Sequence, residues 1–97
     1  MKKSYTKTGQ SCRVTFEIPA EIGAEKVALC GEFNNWNPEK HPMKRRKDGS
    51  YSITISLKPG NSYRYRYLIN DDRWENDWAA DNYTSNEFGT EDSVISV

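Results

Sequence analysis

Two kinds of side chain in this sequence have the chemistry to act on another molecule: clustered carboxylates, and tryptophans set among polar residues. Asp71-Asp72 and Glu75-Asn76-Asp77 crowd acidic groups into one short stretch. Paired carboxylates perform glycosidase acid/base chemistry only when they flank a deep cleft at a fixed separation. On loops of a chain of 97 residues they are expected instead to form turns and to solubilise. Their spacing does not fit an EF-hand calcium loop. His41, Cys12 and Cys30 make no metal-ligand pattern. No glycine-rich phosphate loop, Ser-His-Asp set or nucleophilic-cysteine context is present. The expectation is a protein with no catalytic residues, no metal and no cofactor.

The tryptophans suggest binding. Trp36 lies in Asn34-Asn35-Trp36-Asn37-Pro38, and Trp74 follows the polar turn Asn70-Asp71-Asp72. A pyranose presents C–H groups on its faces and hydroxyls around its edge. An indole removes the faces from water, while Asn, Asp, Arg and Thr side chains hydrogen-bond the edge. Each covered ring contributes about 1–2 kcal/mol by area. Two platforms, offset by the cost of ordering a flexible sugar chain, give a Kd of roughly 10 μM to 1 mM. The same indoles also fit a plainer reading, in which they fold back and cap the core. The residue pattern leaves both open.

The composition limits what can position these groups. A chain of 97 residues is one domain, and its hydrophobic fraction of 35% is low beside 29% charged. Three Trp, six Tyr and three Phe compensate, so a thin core of rings and β-branched residues is expected. With 14 basic and 14 acidic residues the net charge is zero, which argues against a nucleic-acid or anionic-membrane partner. No apolar run is long enough to span a bilayer, and Met1-Lys2-Lys3 is followed by no hydrophobic segment. Cytoplasmic residence is the expectation.

The apolar residues recur with period two, in short runs cut by turn residues. Strands are expected at Cys12 to Ile18, Lys26 to Phe33, Met43 to Arg46, Tyr51 to Leu57, Tyr63 to Ile69 and Asp92 to Val97. Lys47-Asp48-Gly49 and Pro59-Gly60-Asn61 read as turns. Arg73 to Gly89 reads as irregular, and residues 1–10 as an extension ahead of a domain covering 11–97. Alternation sets Cys12 on the core face and Cys30 on the opposite, outward face, so a disulfide is not expected. It also points Arg64 and Arg66 away from Tyr65 and Tyr67. Lys44-Arg45-Arg46-Lys47 reads as a charged edge that blocks stray strand pairing. The fold class is all-β, a sandwich of two antiparallel sheets of immunoglobulin-like type.

Val27-Ala-Leu-Cys-Gly-Glu-Phe-Asn-Asn-Trp-Asn-Pro38 resembles family 48 of the carbohydrate-binding modules. These are the early-set immunoglobulin-like domains that precede the catalytic barrel of isoamylases and glycogen branching enzymes. They also form the glycogen-binding domain of the AMP-activated protein kinase β subunit. The likeness continues through Asp48-Gly-Ser-Tyr51, Leu57-Lys-Pro-Gly60, Tyr65-Arg-Tyr67, Asp72-Arg-Trp74 and Phe88-Gly-Thr90, from about Val14 to Val97. It is greatest to the short, free-standing bacterial proteins of isoamylase-N-terminal type.

The resemblance implies a glucan held by Trp36 and Trp74, with Arg66 where glycogen-binding members carry Lys. Phe88 stands for a Leu, Thr90 keeps the family Thr, and Asp92 stands for an Asn. Arg for Lys keeps the charge and changes the hydrogen-bond geometry. The loop before Trp74 is one residue longer than in relatives, and Trp78 occupies a position usually held by Pro. With Asn35 added, Arg66, Thr90 and Asp92 are expected to bond the sugar edge. The leading expectation is a non-catalytic module for α-glucan (glycogen, starch or maltooligosaccharide). The alternative is an interaction domain that docks on a separate glucan-active enzyme and has lost its sugar site.

Overall fold

The computed structural model describes residues 1–97. The strands, in chain order, are β1 (Lys2–Tyr5), β2 (Cys12–Ile18), β3 (Val27–Gly31), β4 (Lys44–Arg45) and β5 (Tyr51–Leu57). They continue with β6 (Ser62–Ile69), β7 (Arg73–Glu75), β8 (Asn82–Ser85) and β9 (Glu91–Ser96). One sheet has the order β1-β2-β5-β4, the other β3-β6-β9-β8, and every pairing is antiparallel. β7 pairs with residues 67–69 of β6, and β9 with residues 62–65. This is the two-sheet immunoglobulin-like sandwich expected from the alternation. No helix is long and apolar enough to cross a membrane.

Period-two alternation fills the space between the sheets. β2 contributes Cys12, Val14, Phe16 and Ile18; β6 contributes Tyr65, Tyr67 and Ile69; Leu29 and Ile95 complete the centre. Rings carry much of it. Phe16 meets Tyr65 edge-on at 5.1 Å between centroids, and Tyr65 meets Tyr67 edge-on at 6.0 Å. Such edge-to-face pairs add stabilisation beyond their area. That is how a chain with a low apolar fraction closes its core.

Two segments differ from the sequence expectation. Residues 1–10 are not an extension apart from the domain: β1 pairs with β2 in register Lys2↔Thr15 to Tyr5↔Cys12. All four β1 side chains are solvent-exposed, which hid the strand from any periodicity argument. The Lys3 ammonium reaches the other sheet and donates to Asp81 Oδ2 at 2.6 Å and to the Ser96 carbonyl at 2.9 Å.

Residues 73–89 hold β7 and β8, where an irregular stretch was expected. Between them Asp77, only 6% exposed, serves as a buried polar anchor. Its Oδ2 accepts hydrogen bonds from the Tyr65 hydroxyl at 2.7 Å and the Tyr67 hydroxyl at 2.9 Å. Its Oδ1 accepts from the Ala79 N–H, and its own N–H donates to Ser93 Oγ. Burial first, and the Asp77 carboxylate second, push both tyrosine hydroxyls well above their ordinary range, so they remain donors. A segment held in place by buried hydrogen bonds shows no apolar alternation.

Candidate functional site

The first candidate residue is placed by a glycine that nothing can replace without movement. Where β3 ends, a Cβ on Gly31 would lie 2.6 Å from the Arg64 carbonyl oxygen and 2.8 Å from Phe33 Cζ. The bare backbone lets β3 run tight against β6. The chain then makes one 3-10 turn over Glu32–Asn34 and turns Asn34 inward. Asn34 Oδ1 accepts from the Gly31 N–H, and Nδ2 donates to the Leu29 carbonyl and to His41 Nδ1 at 2.7 Å. Asn35 and Trp36 follow in the left-handed region, at φ 56° and 59°. That region is ordinary for Asn but disfavoured for a bulky residue, and such strain concentrates at functional sites. The Trp36 N–H closes the turn on the Gly31 carbonyl at 2.9 Å.

The Trp36 indole packs over Ala28, Cys30 and Leu68, on the outer face of β3 and β6. Cys30 therefore points outward, as alternation requires, yet it is fully buried because the indole covers it. That burial pushes its thiol up to about 11. Cys12 lies in the separate inter-sheet core, and both cysteines are free. Trp74 stands opposite Leu68 in the β6–β7 register, so its side chain leaves the same outward face. It is 46% exposed. The two indoles thus share one surface.

That surface is a groove of about 830 Å³, within the usual range for small-ligand sites. Trp36, Trp74, Arg66, Phe88, Thr90 and Asp92 all line it. Asn35 does not; it is exposed in the turn beside it. Sequence reasoning missed four further lining residues, Glu32, Arg64, Asn86 and Glu87. Arg64 was legible, being two residues before Arg66 on an alternating strand. Glu32 and Glu87 had no signal, since their positions follow from how the loops fold.

The side chains expected to bond a sugar edge are largely bonded to one another. Arg66 Nε lies 2.9 Å from Asp92 Oδ1, and its Nη2 donates to Thr90 Oγ1 at 2.6 Å and to the Glu91 carbonyl. The Arg66 side chain is only 17% exposed. Asn86 Oδ1 accepts from the Phe88 and Thr90 N–H groups, and its Nδ2 donates to Asp92 Oδ1. This network fixes the loop between β8 and β9 and holds Phe88 at its tip, 82% exposed. Arg66 and Asp92 are thereby wall-builders that position Phe88. Arg64, with a side chain 45% exposed and 3.9 Å from Asp92, retains donors for a ligand. Two arginines face Glu32, Glu87 and Asp92, a nearly balanced set of charges that suits a neutral polyol.

His41 couples the Trp36 turn to pH. Asn34 Nδ2 is a donor, so His41 Nδ1 must accept and the ring must be neutral. Burial, then Lys40, lower the His41 pKa from 6.5. The unfolded chain therefore takes up this proton first. The contribution is complete above the unfolded value and is lost as pH falls through the folded one. We expect the melting temperature to drop as pH falls below the ordinary histidine value of 6.5, and a His41→Gln variant to lose that dependence. Asp48 and Asp81 are held below the carboxylate value of 3.8, so their losses come at lower pH. A melting curve unchanged over the upper window would refute the His41 coupling.

The model of carbohydrate-binding module 48 (isoamylase N-terminal domain) matches residues 6–84. A 1,4-alpha-glucan branching enzyme GlgB 2 of Xanthomonas campestris pv. campestris (strain 8004) is 31% identical over 70 residues, covering 71% of this chain and 10% of that protein. The 1,4-alpha-glucan-branching enzyme of Equus caballus is 45% identical over 40 residues, 41% of this chain and 6% of that protein. The chloroplastic/amyloplastic 1,4-alpha-glucan-branching enzyme of Oryza sativa subsp. japonica is 54% identical over 33 residues, 34% of this chain and 4% of that protein. The chain spans a tenth of the first of these relatives and less of the others. With the family match covering most of the sandwich, the chain belongs to carbohydrate-binding module family 48, the isoamylase N-terminal domains.

Proposed function

We propose that this domain binds α-glucan chains on the groove between Trp36 and Trp74 and carries out no chemistry on them. The observation that carries this reading is the shared face: two partly exposed indoles on either side of Leu68, in one groove with Phe88 at its edge. Flat rings there cover the C–H faces of successive glucose units, while Arg64, Glu32 and Glu87 meet hydroxyl edges. Arg66, Thr90 and Asp92 act mainly through one another, by fixing the wall that carries Phe88. The branching-enzyme names of the relatives support a glucan as the ligand. The buried free thiols of Cys12 and Cys30 fit a reducing, cytoplasmic setting.

Titration with maltoheptaose or β-cyclodextrin, followed by tryptophan fluorescence, tests the reading directly. Saturable quenching or enhancement is expected with a Kd of roughly 10 μM to 1 mM. A flat response through millimolar ligand would remove it. The alternative, an interaction domain for a separate glucan-active enzyme, would win with indoles buried or on different faces; the shared groove favours sugar.

A further inference from the structure

Trp78 takes no part in the groove and is 75% exposed, one of the least covered large side chains in the molecule. Its exposure is not that of a loose loop. Asp77, immediately before it, is locked by the hydroxyls of Tyr65 and Tyr67 and by Ser93 Oγ. Asn76 is tied to the Glu91 carbonyl and to Ser93 Oγ. After the indole, the Ala79 N–H returns to Asp77 Oδ1 and the Ala80 N–H to the Asp77 carbonyl. The backbone on both sides is fixed, so binding has only the two side-chain torsions of the ring left to order. Preorganisation of this kind is what lets a single aromatic platform contribute to binding.

Beside Trp78 lies a second groove, about 190 Å³ against about 830 Å³ for the first, which offers room for one ring rather than a chain. Ile18, Pro19 and Ile22 give it apolar lining, and Glu17 and Glu75 line it as well. Each of these two carboxylates already has a cation: Arg46 Nη1 lies 2.8 Å from Glu17 Oε2, and Arg73 Nε lies 3.2 Å from Glu75 Oε1. Met1 and Asp77 line the groove too, with Asp77 Oδ2 taken up by the buried tyrosine hydroxyls, and the second oxygen of each paired carboxylate has no protein donor. A cationic partner finds no net attraction there, whereas a neutral polyol finds a flat apolar face and hydroxyl acceptors.

We infer that Trp78 and this groove form a second, single-residue glucan subsite, separate from the Trp36–Trp74 groove. The identity of the sugar class rests on the proposed function. One stacked ring with two acceptors gives weak binding, in the range of roughly 1–10 mM. On a long polymer it acts by raising effective concentration rather than by its own affinity.

The test follows the indole Nε1–H signals of all three tryptophans by NMR, assigned with Trp→Phe variants, as maltoheptaose is added. The Trp78 signal is expected to move and saturate, in the wild-type chain and equally in Trp74→Ala, where the first groove is crippled. Trp78→Ala should leave maltoheptaose affinity at the first groove within about twofold, because the sites share no side chain. Movement of Trp36 and Trp74 with Trp78 fixed overturns the second subsite and leaves the first reading intact. Movement of Trp78 alone supports the subsite and removes the first. An equal Trp78 shift with the open-chain polyol sorbitol also overturns it, since no ring face is then being recognised.

Discussion

Trp74→Ala is expected to weaken maltoheptaose binding at the main groove roughly 5- to 30-fold while leaving the melting temperature unchanged. Its indole is 46% exposed on the short strand β7 and faces the groove, so its removal takes away a stacking surface and little core. Losing one of two platforms costs about 1–2 kcal/mol, which is roughly a 5- to 30-fold weakening from an already modest Kd. Trp36→Ala should weaken binding as much but behave differently as a protein. Trp36 also roofs Ala28, Cys30 and Leu68, so the variant should melt several degrees lower. It should also expose a thiol: Cys30, buried and pushed up to about 11 in the intact domain, becomes reactive to a thiol reagent. Wild-type affinity in Trp74→Ala, measured by calorimetry beside the melting curve, would contradict the assigned groove. An inert Cys30 in Trp36→Ala would contradict the roof.

The largest effect on stability is expected from Asp77→Ala. The substitution strips the carboxylate acceptor from two fully buried tyrosine hydroxyls, leaving Tyr65 only the weak acceptor Met1 Sδ at 3.8 Å. Each orphaned donor costs about 1–3 kcal/mol, so the loss totals about 2–6 kcal/mol of the roughly 5–15 kcal/mol that holds a domain together. For a chain of 97 residues that lowers the midpoint by roughly 10 °C or more. Asp77→Asn should cost less, since a carbonyl oxygen remains and the hydroxyls can rotate. Adding Tyr65→Phe and Tyr67→Phe to Asp77→Ala should recover much of the loss, because no donor is then left unpaired. Thermal melts of the three variants decide it. If the triple variant is no more stable than Asp77→Ala, the hydroxyl pairing is not the cause. Because Asp77 separates β7 from Trp78, the same variant should also disturb both tryptophan sites.

The sequence by itself determined the sandwich. Alternation in Cys12–Ile18, Tyr51–Leu57 and Tyr63–Ile69 assigned faces that the structure keeps, because a one-residue slip would turn every core side chain out to water. It also brought forward Trp36, Trp74, Arg66, Phe88, Thr90 and Asp92, through their polar surroundings and a family resemblance. How those residues are bonded and placed emerged only with the folded chain. It spent the Arg66 donors on Thr90, Glu91 and Asp92, left Asn35 off the groove wall, and brought Glu32 and Arg64 onto it. It made strands of β1 and β7, whose side chains are too exposed or too polar to announce themselves. The reason is common to all of these. Burial of apolar side chains leaves a local periodic trace, whereas a hydrogen bond between residues distant in sequence leaves none until the chain has folded.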